Sequence, residues 1–381
     1  MHQVAVKLAQ YWSNIQDFLF PRITEEVGVL TDKHRQLISI LELVRVEEFI
    51  PDRKGMAFRP AKDRAEIARA FVAKAVYNFP ETRDLLDRLK TDSALRLICG
   101  WDSSRIPSES TFSRAFAEFA RTGLVGRVHE RLIAEHQGER LVGHISRDST
   151  AITGREKRAP REASAPPQPK RRRGRPKKGE APSPPPPPSR LERQVEMTAE
   201  EMLADLPTQC DIGCKRNSKN SVEYWVGYKL HLDVADGQIP ISALLTSASV
   251  HDSQVALPLA AQTHKRVTNL YDLMDAAYDA AIIDQYSRRL GHIPLIDHNF
   301  KGNSAGKNDR QAEQQRLELL HFTMPETERF KERTSAERVN ARIKDEFGGR
   351  FVRVRGHAKV LAHLMFGLLA LTADQLLRLI C

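Results

Sequence analysis

Cysteine is scarce: four residues (Cys99, Cys210, Cys214, Cys381) in a chain of 381. So few cannot make a disulfide scaffold at this length, and they suit a reducing compartment. Aromatic residues reach only 7%, with three tryptophans. An uninterrupted apolar run long enough to span a bilayer is also missing. The most apolar stretch, Val360 to Ile380, is broken by His363, Asp374 and Arg378, which argues against a membrane partner. Met1 to Ile15 contains no basic-then-apolar signal, so a cytoplasmic location is expected. What remains is a globular composition, 41% hydrophobic and 28% charged, with chain enough for two domains.

Positive charge is present in excess. Lys+Arg is 59 against 49 Asp+Glu, a net charge of +10, which points to a polyanionic partner and above all to nucleic acid. Two regions hold it. Ala159 to Arg190 carries nine Lys/Arg and two Glu, and Arg329 to Lys359 carries ten Lys/Arg and four acids. The first is low-complexity, with eleven of the 21 prolines, whereas the second has the pattern of a folded segment.

Residues 1–138 read as an all-α domain for DNA binding or dimerisation. Leu37, Leu41 and Val44 recur at helical spacing, as do Ile67, Phe71, Ala75 and Phe79, with breaks at Pro80 and at Thr91-Asp92. Gly100, then Ser108 as an N-cap before the stripe Phe112, Phe116 and Phe119, fits either a helix-turn-helix or a plain bundle. Leu141 to Thr150 reads as a strand, so residues 139–153 are taken as the first strand of a second domain. Residues 154–208 read as a disordered, basic, proline-rich linker. Residues 209–381 supply further strands at Val222–Val234, Ile239–Thr246, Leu270–Met274 and His292–Ile296, alternating with helices, and Asp236-Gly237 marks a hairpin. The expected fold is α/β, a mixed five-stranded sheet flanked by helices.

Three carboxylates are placed where such a sheet builds a site. Asp148 ends the first strand with His144, Ser146 and Thr150 on its side, and Asp275 ends the strand from Leu270. Glu337 lies on a later helix. Convergent carboxylates need a cation, and two Mg²⁺ ions about 4 Å apart would neutralise them and clamp the oxygens of a phosphate. Projected from Arg333 as a helix, Glu337, Asn340 and Lys344 form one polar stripe with Phe330 at its edge, while Ala336, Val339 and Ile343 form an apolar stripe beside it. The other reading of that helix is a surface face with an Arg333–Glu337 pair.

Phe330-x2-Arg333-x3-Glu337-x6-Lys344 resembles the Y-R-E-K signature of bacterial insertion-sequence DDE transposases. Ser146-Arg-Asp148-Ser-Thr and Asp275-Ala-Ala-Tyr278-Asp279 resemble the first and second aspartate motifs of that family. Gly227-Tyr-Lys-Leu-His231, His251-Asp252-Ser253 and the N-terminal Ile106-Pro-Ser-Glu-Ser-Thr-Phe-Ser add to the resemblance. It implies an RNase H-like fold, with Asp148, Asp275 and Glu337 as catalytic residues and metal ligands for Mg²⁺, or Mn²⁺ in its place. It also implies cleavage at the element's terminal inverted repeats and attack of the freed 3′-OH on target DNA, by a homodimer on DNA in the bacterial nucleoid. Arg333 and Lys344 carry over as DNA contacts, and Asn340 joins them from the same stripe. Phe330 stands where the family has tyrosine, Ala277 where glycine is frequent, and the proline-rich insertion is not a family feature. The alternatives are a catalytically inactive DNA-binding derivative and an RNase H-like nuclease without strand transfer.

Within the linker, Arg173-Gly174-Arg175-Pro176 resembles the core of an AT-hook, followed by Lys177 and Lys178. Glycine lets backbone approach the floor of a narrow groove, and the flanking arginines extend along it. Seven phosphate contacts there would give a salt slope of about −6. Cys210-x3-Cys214 lacks a second ligand pair at zinc spacing. Asp272 is expected to face away from Asp275, and Asp279 and His251-Asp252 to cap helices.

Overall fold

The computed structural model describes residues 2–51, 63–160, 187–216, 221–298 and 304–379. Among these residues eight α-helices come first: α1 (His2–Asn14), α2 (Phe20–Val27), α3 (Asp32–Val44), α4 (Arg64–Val76), α5 (Thr82–Thr91), α6 (Ser93–Cys99), α7 (Glu109–Thr122) and α8 (Leu124–Gln137). Local chemistry sets their ends. Thr31 accepts from the His34 N–H at the start of α3, and Asp92 accepts from the Leu95 N–H at the start of α6. The His34 ring reaches the same Asp92 carboxylate at 3.1 Å, so one acid caps one helix and ties it to another. The stripe Phe112, Phe116 and Phe119 of α7 is buried, but the connection from α6 runs from Gly100 to Ser108, too long for the short turn of a helix-turn-helix.

Six strands follow: β1 (Leu141–Thr153), β2 (Asp211–Arg216), β3 (Val222–Ala235), β4 (Ile239–Ser247), β5 (Thr268–Met274) and β6 (Ile293–Ile296). β3 pairs antiparallel with β1 on one edge; on the other it meets β2 along its first half and β4 along its second. β5 joins β1, and β6 joins β5, both in parallel. The sheet is thus mixed, as expected, but has six strands rather than five among the described residues. The extra strand, β2, is an edge strand paired only with residues 222–227. The hairpin at Asp236-Gly237 is present, with Gly237 at φ +77°.

Between the strands lie α9 (Arg190–Gln194), α10 (Ala199–Ala204), α11 (Ala256–His264) and α12 (Ala281–Arg289), and after β6 come α13 (Ser304–Leu319), α14 (Pro325–Phe330), α15 (Thr334–Asp345) and α16 (His357–Arg378). α9 and α10 correct the reading of residues 154–208 as structureless throughout. Both begin with capping boxes (Ser189 with Glu192, Thr198 with Glu201), and Gln194 and Met202 are buried. The proline-rich core of that insertion, 161–186, with Arg173, Arg175, Lys177 and Lys178, lies outside the described residues.

α16 is long and apolar enough to cross a membrane by length and composition, yet most of it is buried inside the protein. It packs on α3, α4, α7 and α8 of the N-terminal region and on β4 of the sheet. Phe366 meets Phe71 of α4 and Phe116 of α7, with ring centroids 5.6 and 6.2 Å apart. Both regions therefore share one continuous core.

Candidate active site

Strand alternation and register place the carboxylates. The β1–β5 ladder ends at Arg147 opposite Met274. Asp148 and Asp275 are the next residues on these adjoining parallel strands, whose backbones lie about 4.8 Å apart. β1 does not stop there, so Asp148 does not end the strand as expected, although the strand stays within residues 139–153. It continues to Thr153 against β3, so Asp148 sits where β5 turns away. Asp275 turns the chain by accepting the Ala277 N–H at 2.9 Å.

α15 covers this point through Ala336, Val339 and Ile343, all fully buried as the apolar stripe required. Asn340, on the neighbouring stripe, donates to Asp148 Oδ2 at 2.9 Å. Glu337 is one turn earlier on the same face. Its carboxylate accepts from Arg333 at 2.6 Å, and its side chain is half exposed. Arg333 is not in the α-helix, as its projection assumed. A 3₁₀ turn, Lys331–Arg333, separates α14 from α15, and the Ser146 hydroxyl donates to the Arg333 carbonyl at 2.6 Å. That bond fixes the start of the Glu337 helix to the strand of Asp148. The Arg333 guanidinium also lies 5.8 Å from the Phe330 ring centre.

The electrostatics are those of crowded acids. Burial, and then the neighbouring Asp275, push Asp148 up to about 6, against the pull of Asn340 and Arg333. Burial raises Asp275 as well, with Asp252 and Asp297 adding to the rise. Tyr278 is 1% exposed, its hydroxyl has no partner among the described residues, and burial among Asp252, Asp148 and Asp275 raises it far above the phenol range. Lys344 is held below the usual lysine range, first by burial and then by Lys215 and Arg350, while Asp148 pulls the other way. It makes no hydrogen bond or ion pair with a described residue, which leaves its charge available to a phosphate.

Sequence reasoning missed a polar clamp behind Asp148. Asp252 Oδ1 accepts from Ser149 Oγ at 2.9 Å and from Lys229 Nζ at 3.0 Å. His251 caps the following turn as expected, by accepting the Ser253 N–H. Asp252 instead binds the residue after Asp148. The signal was the alternation that sets Lys229 and His231 on one face of β3, opposite Ala151 and Ser149. Asp272 does face away: buried, it meets Asn269 at 3.0 Å and His292 at 3.2 Å. Asp279 does not cap α12, whose N-cap is Ala280.

Residues 206–373 match a family described as a transposase DDE domain, and residues 26–118 match one described as a transposase domain (DUF772). The chain belongs to the DDE transposases. Their order, N-terminal domain and then DDE domain, is that of insertion-sequence transposases. This transposase is accordingly an enzyme that cleaves DNA and transfers strands, in a family that typically uses a divalent metal ion. The DDE match includes Asp275 and Glu337 but starts downstream of β1, so Asp148 lies outside it. No curated protein and no solved structure matches the chain.

The residues of the transposase site suit a divalent cation. Two adjoining carboxylates, each raised, gain most from a positive charge between them. Asn340 Oδ1 and the Tyr278 hydroxyl, in the same place, are buried polar atoms with no partner among the described residues. With Glu337 engaged by Arg333, no group of three or more His, Cys, Asp or Glu among the described residues is gathered closely enough to hold a metal.

Proposed function

We propose that Asp148, Asp275 and Glu337 are the catalytic, metal-holding carboxylates of this transposase, on an RNase H-like sheet, with Mg²⁺ as the ion and Mn²⁺ as its substitute. The observation that carries the reading is the Asn340–Asp148 bond of 2.9 Å, because it presses the Glu337 helix against the strand bearing the first aspartate, beside Asp275. When bound, the ions supply Lewis acidity to the phosphate oxygens and lower the pKa of a water nucleophile.

The chain's own residues do the rest. Asn340 orients the Asp148 carboxylate as well as lying beside the DNA path. Arg333 holds Glu337 in the free protein, and its guanidinium turns to a phosphate oxygen when Glu337 turns inward. Lys344 adds a point charge near Asp148. Phe330 supplies an aromatic face to Arg333 but no hydroxyl. The transposase works as a homodimer on the terminal inverted repeats of its element, in the nucleoid of a bacterial cytoplasm. The linker sequence Arg173-Gly174-Arg175 with Lys177 and Lys178 adds A·T-directed contacts.

The test uses a labelled inverted-repeat end, Mg²⁺ and a target plasmid. The parent is expected to nick the end and yield joined product. Asp148→Asn, Asp275→Asn and Glu337→Gln should each drop nicking to background while still shifting the labelled DNA. A variant that cuts at the parental rate removes its residue from the assignment.

A further inference from the structure

A cavity of about 480 Å³ opens at the junction of the N-terminal helices with the segment that follows α15. Its floor is apolar, from Phe71, Phe116 and Phe366. Six cations surround it: Lys74, Arg83, Arg155, Arg353, Arg355 and Lys359. Only two acids, Glu81 and Glu109, lie among them, and each is engaged: Glu109 with Arg83 at 3.2 Å and Glu81 with Arg353 at 3.7 Å. Lys74 is turned inward, donating to the carbonyls of Phe79 and Pro80. Arg155 donates to the Arg353 carbonyl at 3.2 Å and pairs with no carboxylate among the described residues. Arg355 and Lys359 are exposed and make no hydrogen bond or ion pair with a described residue. The rim therefore carries three exposed cations without an acidic partner among the described residues, converging from the end of β1, the 350–355 segment and the first turn of α16.

Such a surplus is costly to gather unless an anion is shared. Its position suggests which one. Arg155 is seven residues beyond Asp148, most of them on β1. At about 3.3 Å per residue the rim lies on the order of 20 Å from the carboxylates, about six base pairs of B-form DNA. Lys344, near Asp148, and Arg350 lie in the same direction along the chain.

We infer that this cationic rim is a DNA-backbone site, which takes phosphates of duplex DNA about six base pairs to one side of the scissile phosphate. The inference rests on the reading that DNA is cut at Asp148, and it adds contacts that the Arg333, Asn340 and Lys344 stripe does not make. Each phosphate contact contributes about −0.9 to the slope of log K against log salt.

Full-length parent and the Arg355→Ala/Lys359→Ala double variant are titrated with a fluorescent inverted-repeat duplex at several KCl concentrations. Both positions are exposed, so the variant is expected to melt like the parent. Its salt slope should be shallower by about 2 and its affinity at 0.2 M salt lower by about 10- to 20-fold. Arg288→Ala/Arg289→Ala, which removes equal charge from the exposed face of α12 outside the cavity, should keep the parental slope. On duplexes trimmed within six base pairs of the cut site, parent and variant should converge for one of the two trimmed sides. A parent that binds no DNA overturns the proposed function. A parent that binds, with a double variant of equal slope, overturns the rim alone, as does a difference that survives trimming on both sides.

Discussion

At the scale of single residues, the cost of the site is concentrated on Asp148. Its folded-state pKa of about 6 lies above the ordinary 3.8 of an aspartate. The folded protein therefore holds that proton more tightly than the unfolded chain, and stability falls as pH rises from about 4 to about 6 and stays lowered above that. A tighter hold of this size corresponds to about 3 kcal/mol. Asp148→Asn should thus be the more stable protein at pH 7.5 in chelator, by up to about 3 kcal/mol, with the advantage gone near pH 4. Urea melts at the two pH values measure this; equal stabilities at pH 7.5 would mean that Asp148 is not strained by its neighbours. Asn340 and Ser146 were legible as members of a polar stripe and of the Asp148 face, but not as partners. Periodicity says which residues share a face, whereas a hydrogen bond depends on which element packs over it. The Arg333–Glu337 pair was foreseen as the alternative reading of the helix, and the pair is present.

At the scale of elements, the sheet depends on a close crossing where β1, β2 and β3 meet. Gly227 of β3 pairs with Thr153 of β1 and Asp211 of β2. A Cβ at Gly227 would run into the Ile152 carbonyl oxygen and the Gly154 nitrogen, which are backbone atoms and cannot swing aside. Gly227→Ala should cost about 2–4 kcal/mol, read by chemical denaturation. A change under about 0.5 kcal/mol would show that the strands separate there without penalty. Elements with a strong pattern were legible: the Asp236-Gly237 hairpin, the apolar stripe of α15 and the phenylalanine stripe of α7. β2 was not, because Asp-Ile-Gly-Cys-Lys-Arg has no alternating apolar face and meets only part of β3. The 3₁₀ break at Lys331–Arg333 was hidden for a related reason: neither proline nor glycine marks it.

At the scale of the whole molecule, the C-terminal helix decides how the two regions cooperate. α16 is apolar on nearly every side, a pattern that calls for burial. It could not say against what, and the answer is both regions at once. The strand carrying Asp148 follows directly on α8, and the helix carrying Glu337 leads through the cationic rim into α16. The N-terminal helices are thereby fixed relative to the carboxylates, which is what a protein needs if DNA held by one region is to be cut at a defined position by another. All of this presumes that carboxylates from β1, β5 and α15 make one divalent-ion site. Calorimetric titration of Mn²⁺ into the DNA-free protein decides the matter. Saturable binding is expected, weakened at least about ten-fold in Asp148→Asn and in Glu337→Gln alike; isotherms for these variants that overlay the parent's would refute the shared site.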